Sequence, residues 1–420
     1  MSTKSGILQP IILLISLILI LIILVGLTWA NLSFVQENPG GSDFLFLWVG
    51  TRELINNGVS PYSELVAIKM QLAIYGRSAQ PGEHELFVAY PIYATFIAAP
   101  FAMISDYTLA RSIWMTTLQS ALLGLVFVNL RLTGWRPGYL LTSLLLVFSL
   151  LWYHALRGII NGNVVILIAL LIGSVFVALH ARKDELAGAL LALTTIKPQV
   201  VILLIIFVFI WAVFNRRWPL IFWFTITIVF LSLAGMAFIP DWPVQNLQTV
   251  LNYPHDNTPG TPGAAFSQWW PGIGSRLGWG LTIIMAALLL VEWWHARNKG
   301  FRWFLWTACL TLVAGQWIGI ETDPGNFVVL FIPMMLVLAS WEERWGPRGR
   351  PVIVLLLLVA FFSLWGLFLY TVDLEAGAQQ HPIMFFPLPA FLLVGLYWVR
   401  WWAIKPNRFL IDALRSYESS

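Results

Sequence analysis

The chain has 420 residues, of which 59% are hydrophobic and only 10% charged, with a mean hydropathy of +0.79. An average soluble domain carries about 25% charged residues, so this much apolar surface has to face a bilayer. A soluble globular enzyme, a nucleic-acid binder and a disordered chain are excluded. The net charge of +4 and the pI near 9.2 fit basic cytoplasmic loops rather than a nucleic-acid partner. The single cysteine, Cys309, lies inside an apolar run, which leaves no intramolecular disulfide and no cysteine-based metal site.

The first element is an apolar run from Ile7 to Ala30, preceded by Lys4. It is longer than the ~7–15 residues of a signal-peptide core and lacks a small-x-small exit. It is expected to be a retained first span with a cytoplasmic N-terminus. The polar stretch 31–86 follows. Its apolar positions Phe44, Leu47, Trp48, Thr51, Leu54 and Ile55 recur at helical spacing, predicting a helix from Asp43 to Asn57 that stops at Gly58. A second helix is predicted from Ser60-Pro61 to about Tyr75, before Gly76. Both are expected to lie on the outer interface as amphipathic helices.

Apolar stretches then run over 87–105, 107–130, 138–156, 163–180, 186–214, 218–239, 280–296, 303–320, 326–340, 352–371 and 387–403. Connectors with basic excess (Arg131/Arg136, Arg182/Lys183, Arg216/Arg217, Arg297/Lys299/Arg302, Arg344/Arg348/Arg350, Lys405/Arg408) belong inside, and the acid-rich connectors outside. Parity makes 87–105, which carries Pro91 and Pro100, an outer juxtamembrane or re-entrant segment. It also splits 186–214 into a hairpin of 186–196 and 198–214, broken at Lys197-Pro198. The expected protein is therefore all-α and polytopic, with about twelve transmembrane helices and both termini cytoplasmic. It forms one membrane domain over 1–420: a first outer loop 31–106, core helices 107–239, a second outer loop 240–279, C-terminal helices 280–404 and a tail 405–420.

Candidate functional residues fall on the outer side. Asp43 is either a helix cap, through Ser42-Asp43, or a catalytic acid, and the two roles are compatible. Lys197 is an ammonium at bilayer depth, costing about 2.5–3.5 kcal/mol on insertion scales. It either serves an anionic group such as a lipid phosphate or snorkels to the outer headgroups. The adjacent Pro198 frees local carbonyls, as in broken helices that line cavities. Arg157, Asn161 and Asn163 stand at the connection before 163–180, where an Asn pair can bond sugar hydroxyls or cap the span. Tyr90-Pro91 shapes the re-entrant segment. Glu83-His84-Glu85 reads as a solvated edge or a metal or acid–base cluster. Glu321 and Asp323 end an apolar run on the outer side, where solvation of the helix end is the plainer reading of both acids. Loop 240–279 holds His255, Asp256, Ser267, Gln268 and Arg276; Arg276 is either a phosphate ligand or an interface anchor. Most of the 23 Trp residues read as interfacial belt residues.

Taken together, these residues resemble the GT-C superfamily of membrane glycosyltransferases, and within it glycosyltransferase family 87, the polyprenol-phosphate-mannose-dependent mannosyltransferase-like group. The resemblance spans roughly 40–340. It is carried by Asp43 with Gly58-x-x-Pro61-Tyr62, Tyr90-Pro91 with Ala99-Pro100, Asn161-Gly162-Asn163, Ala187-Gly188 leading to Lys197-Pro198-Gln199, and Ser267-Gln268 with Arg276; Asp323-Pro324 and Asn326 stand in the late outer loop. It implies an inverting hexosyltransferase of the cell membrane with its active site facing outside. The donor would be a mannose-like sugar on polyprenyl phosphate and the acceptor a hydroxyl of a lipid, glycan or protein, with no metal or other cofactor. Asp43 would be the catalytic base, with Lys197, Gln199, Arg276, Tyr90, Asn161, Asn163, Arg157 and Asp323 binding substrate. Two other readings stand beside it: a secondary transporter of a polar or anionic solute, for which paired helix interruptions would be expected, and a polysaccharide polymerase or ligase, for which the dominant outer loop would come late.

Overall fold

The computed structural model describes residues 5–80, 83, 85–251, 260–372 and 380–405. All regular elements in them are helical. In chain order the α-helices are α1 Ser5–Glu37, α2 Ser42–Asn57, α3 Glu64–Tyr75, α4 Ala94–Ala102, α5 Tyr107–Thr133, α6 Tyr139–Leu151, α7 Tyr153–Asn161, α8 Val165–His180 and α9 Asp184–Leu193. They continue as α10 Pro198–Phe214, α11 Trp218–Met236, α12 Trp242–Leu251, α13 Pro262–Trp269, α14 Gly274–Ala296, α15 Phe301–Gly315, α16 Phe331–Trp345, α17 Arg350–Thr371 and α18 Pro387–Ile404. Six helical stretches are long and apolar enough to cross a membrane, and a seventh is added if α6 and α7, bent by 49°, form one span. The chain is thus a multi-helix membrane protein. α8, α10 and α15 are apolar but shorter, at 10–17 residues.

Lipid is the partner of much of the surface. Leu13, Leu21 and Val25 on α1 are each about 61–62% exposed, a state that only a hydrocarbon solvent makes favourable. Apolar helices gain little from packing on one another in lipid, so polar bonds and small residues hold them together. α1 and α5 are joined this way: Asn31 donates to Thr116 at 3.0 Å and to Gln119 at 2.9 Å. Gly188 lets α9 lie directly on α11, since a Cβ there would collide with the carbonyl oxygen of Leu220.

The two short helices predicted in the first polar stretch are α2 and α3. Both stop at glycines with positive φ, Gly58 (64°) and Gly76 (71°). The second begins later than Ser60-Pro61 suggests. Residues 61–63 form a turn, and the Ser63 hydroxyl caps α3 by accepting from the Val66 amide. Within 87–105 only Ala94–Ala102 is helical. The stretch 186–214 is broken where the Lys-Pro pair stands: α9 ends at Leu193, a 3₁₀ turn covers Thr194–Ile196, and Pro198 opens α10 as its first residue.

Candidate active site

Asp43 does not cap its helix. The N-cap of α2 is Gly41, in the left-handed region with φ +83°, and no side chain bonds the first amides. Asp43 stands instead in the first turn, where the helix dipole favours a carboxylate. Its position is set by the chain just before it. The guanidinium of Arg111, a 1%-exposed residue of α5, donates to the carbonyl of Asn38 at 2.8 Å and to that of Ile160 at 2.9 Å. One side chain thereby ties the α1–α2 connection to the end of α7. Gly41 makes room for it, because a Cβ there would strike the Arg111 Nε. Phe44, next to Asp43, stacks on Trp114 with centroids 5.2 Å apart, and the Trp114 indole donates to the carbonyl of Gly162 at 2.8 Å.

The turn between α7 and α8 is built for this contact. Gly162 has φ +73°, and a Cβ on it would collide with the Cβ of Phe44. The next residue, Asn163, both caps and binds. Its Oδ1 accepts from the Val165 amide at 3.0 Å and from the Lys197 ammonium at 2.9 Å. Its Nδ2 faces the Oδ1 of Asn326 at 3.4 Å. Lys197 is only 7% exposed. It does not snorkel to a headgroup region: the break between α9 and α10 turns it inward, onto Asn163.

Asp323 completes the group. It accepts from the Gly325 amide, capping the 3₁₀ segment Pro324–Leu330, and pairs with Arg157 of α7 at 3.2 Å. That pair is partly solvated, with side chains 25% and 53% exposed, so on its own it adds at most about 1 kcal/mol to stability. Its value is positional. Asp43, Arg157, Lys197 and Asp323 lie within electrostatic reach of one another. Removal from water pushes the half-buried Asp43 carboxyl above its ordinary range; Lys197 and Arg157 pull it back, and Asp323 pushes it further up. Among the described residues the carboxylate of Asp43 accepts no hydrogen bond.

The remaining predicted residues are not in this group. Arg276 is exposed in the first turn of α14, and Gln199 is exposed on α10. Tyr90 is half-buried; its carbonyl accepts from the Tyr62 hydroxyl at 2.8 Å and from Asn246 at 3.2 Å. Asn161 is half-buried at the end of α7. Glu83 binds Arg77 through both oxygens at 2.7 Å, which holds its carboxyl down to about 2. His84, His255 and Asp256 lie outside the described residues. Among the described residues no three His, Cys, Asp or Glu side chains come together as a metal site. Two cavities are lined elsewhere: one of about 10 Å³ beside Tyr90, and one of about 290 Å³ between α13 and α14.

Sequence reasoning missed Arg111 and named Asn326 without giving it a role. Arg111 carried a readable signal, as a guanidinium inside the apolar stretch 107–130. Asn326 carried none apart from its place after Asp323-Pro324.

Compared with known proteins, the chain is matched by the model of glycosyltransferase family 87 over residues 87–318. The matched stretch contains Arg157, Asn163 and Lys197 and ends short of both Asp43 and Asp323, so it is narrower than the 40–340 expected. No curated protein and no solved structure matches the chain.

Proposed function

Because this chain belongs to glycosyltransferase family 87, we propose that Asp43, Lys197 and Arg157 are the working groups of its glycosyl transfer. The donor is a mannose-like hexose on polyprenyl phosphate, and the acceptor a hydroxyl at the outer membrane face. The acceptor oxygen attacks the anomeric carbon, and its proton passes to Asp43 as the C–O bond forms. The bond from that carbon to the phosphate oxygen breaks, and its electron pair leaves on the phosphate. A hydroxyl is a poor nucleophile, so a base contributes about 10²–10⁴-fold. The phosphate leaves as a stable anion, so no second carboxyl group is needed to protonate it, unlike the alkoxide of a glycosidase. Lys197 and Arg157 stabilise the charge that grows there. A single displacement inverts the anomeric centre.

The observation that carries this reading is the state of Asp43. Its oxygens accept no hydrogen bond among the described residues, its burial raises its affinity for a proton, and two cations stand within reach. The arrangement around it is taken to be GT-C-like. α8, α9, α10, α15, α16 and the α6–α7 pair each cross, which with α1, α5, α11, α14, α17 and α18 gives about twelve crossings with both termini cytoplasmic and Asp43 outside.

The test is transfer by the purified full chain, given polyprenyl-phosphate sugars and membrane extracts as acceptor source, for wild type and Asp43→Asn. Wild-type product with none above background in the variant supports the assignment. Undiminished product from Asp43→Asn removes Asp43 as the base.

A further inference from the structure

The cavity of about 290 Å³ lies away from the charged group, where α13 and the start of α14 meet the chain leaving α15. Its size falls at the lower end of small-ligand sites, which run from about 300 to 1,000 Å³. Its walls are specific in kind. Among the described residues they include Thr261, Ser267, Ser275, Thr282, Trp279 and the backbone of Gly319, and no Asp, Glu, Lys or Arg. A phosphate would find no cation among these wall residues. A neutral polyol would find hydroxyls and an aromatic face.

These hydroxyls are open to a ligand. The hydroxyls of Ser275 and Thr282 make no hydrogen bond among the described residues. Ser267 donates to the Gly263 carbonyl at 2.9 Å and keeps its lone pairs, while Thr261 accepts from the Ala264 amide at 3.1 Å and keeps its proton. Trp279 is 67% exposed. The C–H face of a sugar ring lies well on an indole, whose apolar body carries a polar edge. Glycines shape its walls: Gly278 lets α14 touch the backbone of α13, since a Cβ there would collide with the Cα of Gly263, and Gly319 combines φ +84° with a close approach to the Thr282 hydroxyl.

The cavity is also coupled to the charged group through the chain. Asp323 follows Gly319 of its wall by four positions, with three residues between them, a reach of at most about 14 Å. We propose that this cavity is a binding subsite for a neutral saccharide unit of the acceptor, which it holds while a neighbouring hydroxyl reaches Asp43. The role as an acceptor subsite rests on the glycosyl transfer proposed above; saccharide binding itself does not.

Saturation-transfer NMR on the full chain in lipid nanodiscs tests it, with the methyl glycosides of mannose, glucose, galactose and N-acetylglucosamine as probes. At least one glycoside is expected to bind. Its affinity should fall at least about tenfold, or 1.4 kcal/mol, in Trp279→Ala and in Ser275→Phe, which fills the space, and to a smaller extent in Thr282→Val, which keeps the shape and removes one hydroxyl. Asp43→Asn should bind as wild type does. Absence of binding by all four glycosides overturns the subsite, as does unchanged binding in a folded Ser275→Phe or, if that variant does not fold, in Thr282→Val and Trp279→Ala together. Binding with transfer intact in Asp43→Asn overturns the proposed base and leaves the saccharide site standing.

Discussion

Carboxylates wholly or partly withdrawn from water in two regions of the protein are treated in opposite ways. Near the C-terminal ends of α14 and α16 every such group is saturated. Glu342 accepts from Arg350 at 2.8 and 2.7 Å on one oxygen and from the Trp135 indole at 2.7 Å on the other. Glu292 accepts from Arg400 at 2.8 Å and from the Tyr397 hydroxyl at 3.2 Å. Asp43 has cations nearby and no donor on its oxygens. A carboxylate with its lone pairs filled is a strut, because taking up a proton would break the bonds that hold it. One with empty lone pairs keeps its capacity for a proton, and the fold pays for that by leaving it unsatisfied.

Exchanging charge for a neutral amide in both regions is the sharpest way to break this contrast. Asp43→Asn should cost about 10²–10⁴-fold in turnover, whereas Glu342→Gln should leave turnover unchanged; equal losses in a transfer assay would erase the distinction. Lys197→Met comes next. It removes the ammonium bonded to Asn163, and a charged hydrogen bond is worth about 1.5–3 kcal/mol. Donor KM is therefore expected to rise by about 10–150-fold with a smaller change in kcat, read from donor titrations.

The pH profile sharpens the same point. The carboxyl of Asp43 is raised above 3.8 by burial, and the base works only when ionised. kcat/KM should thus fall on the acid side around a value above 3.8, and the Asn variant should lose that limb. The sign for stability is opposite to that of a paired acid. A raised folded-state pKa contributes stability below the unfolded value and loses it as pH rises through the folded one. Asp43→Asn should therefore melt at or above the wild-type temperature at neutral pH.

Smaller effects fall on stability. Gly162→Ala forces a side chain into a left-handed conformation at about 1–2 kcal/mol, with a collision at Phe44 in addition, and should lower the melting temperature and turnover together. Glu342→Gln should lose about 1–3 kcal/mol through weakened bonds to Arg350 and Trp135, with transfer retained.

Much of this was legible in the residues because a bilayer makes exceptions conspicuous. Lys197 stood out as a cation in an apolar run, Pro198 marked the helix break, and Gly58 and Gly76 marked helix ends. What stayed hidden depends on three-dimensional convergence. Asp43 read as a cap because Ser42-Asp43 precedes a periodic run, yet the cap stands two residues earlier, at the left-handed Gly41. Asp323 read as a solvated helix end because its partner Arg157 is 166 residues away. Arg276 and Gln199 have the right chemistry for a phosphate and stand exposed, outside the charged group. No periodicity encodes such long-range pairing. Arg111 was passed over because its apolar neighbours fit a span so well.

That arginine has a mechanical consequence. Its two terminal nitrogens grip the strand of backbone before Asp43 and the end of the helix before Asn163, and Asn163 in turn grips Lys197. Acid, amide and ammonium are yoked to one rigid fork on one long helix. A tilt of that helix, as when a bilayer thins or thickens, would carry all three along like fittings on a mast and leave their mutual spacing unaltered.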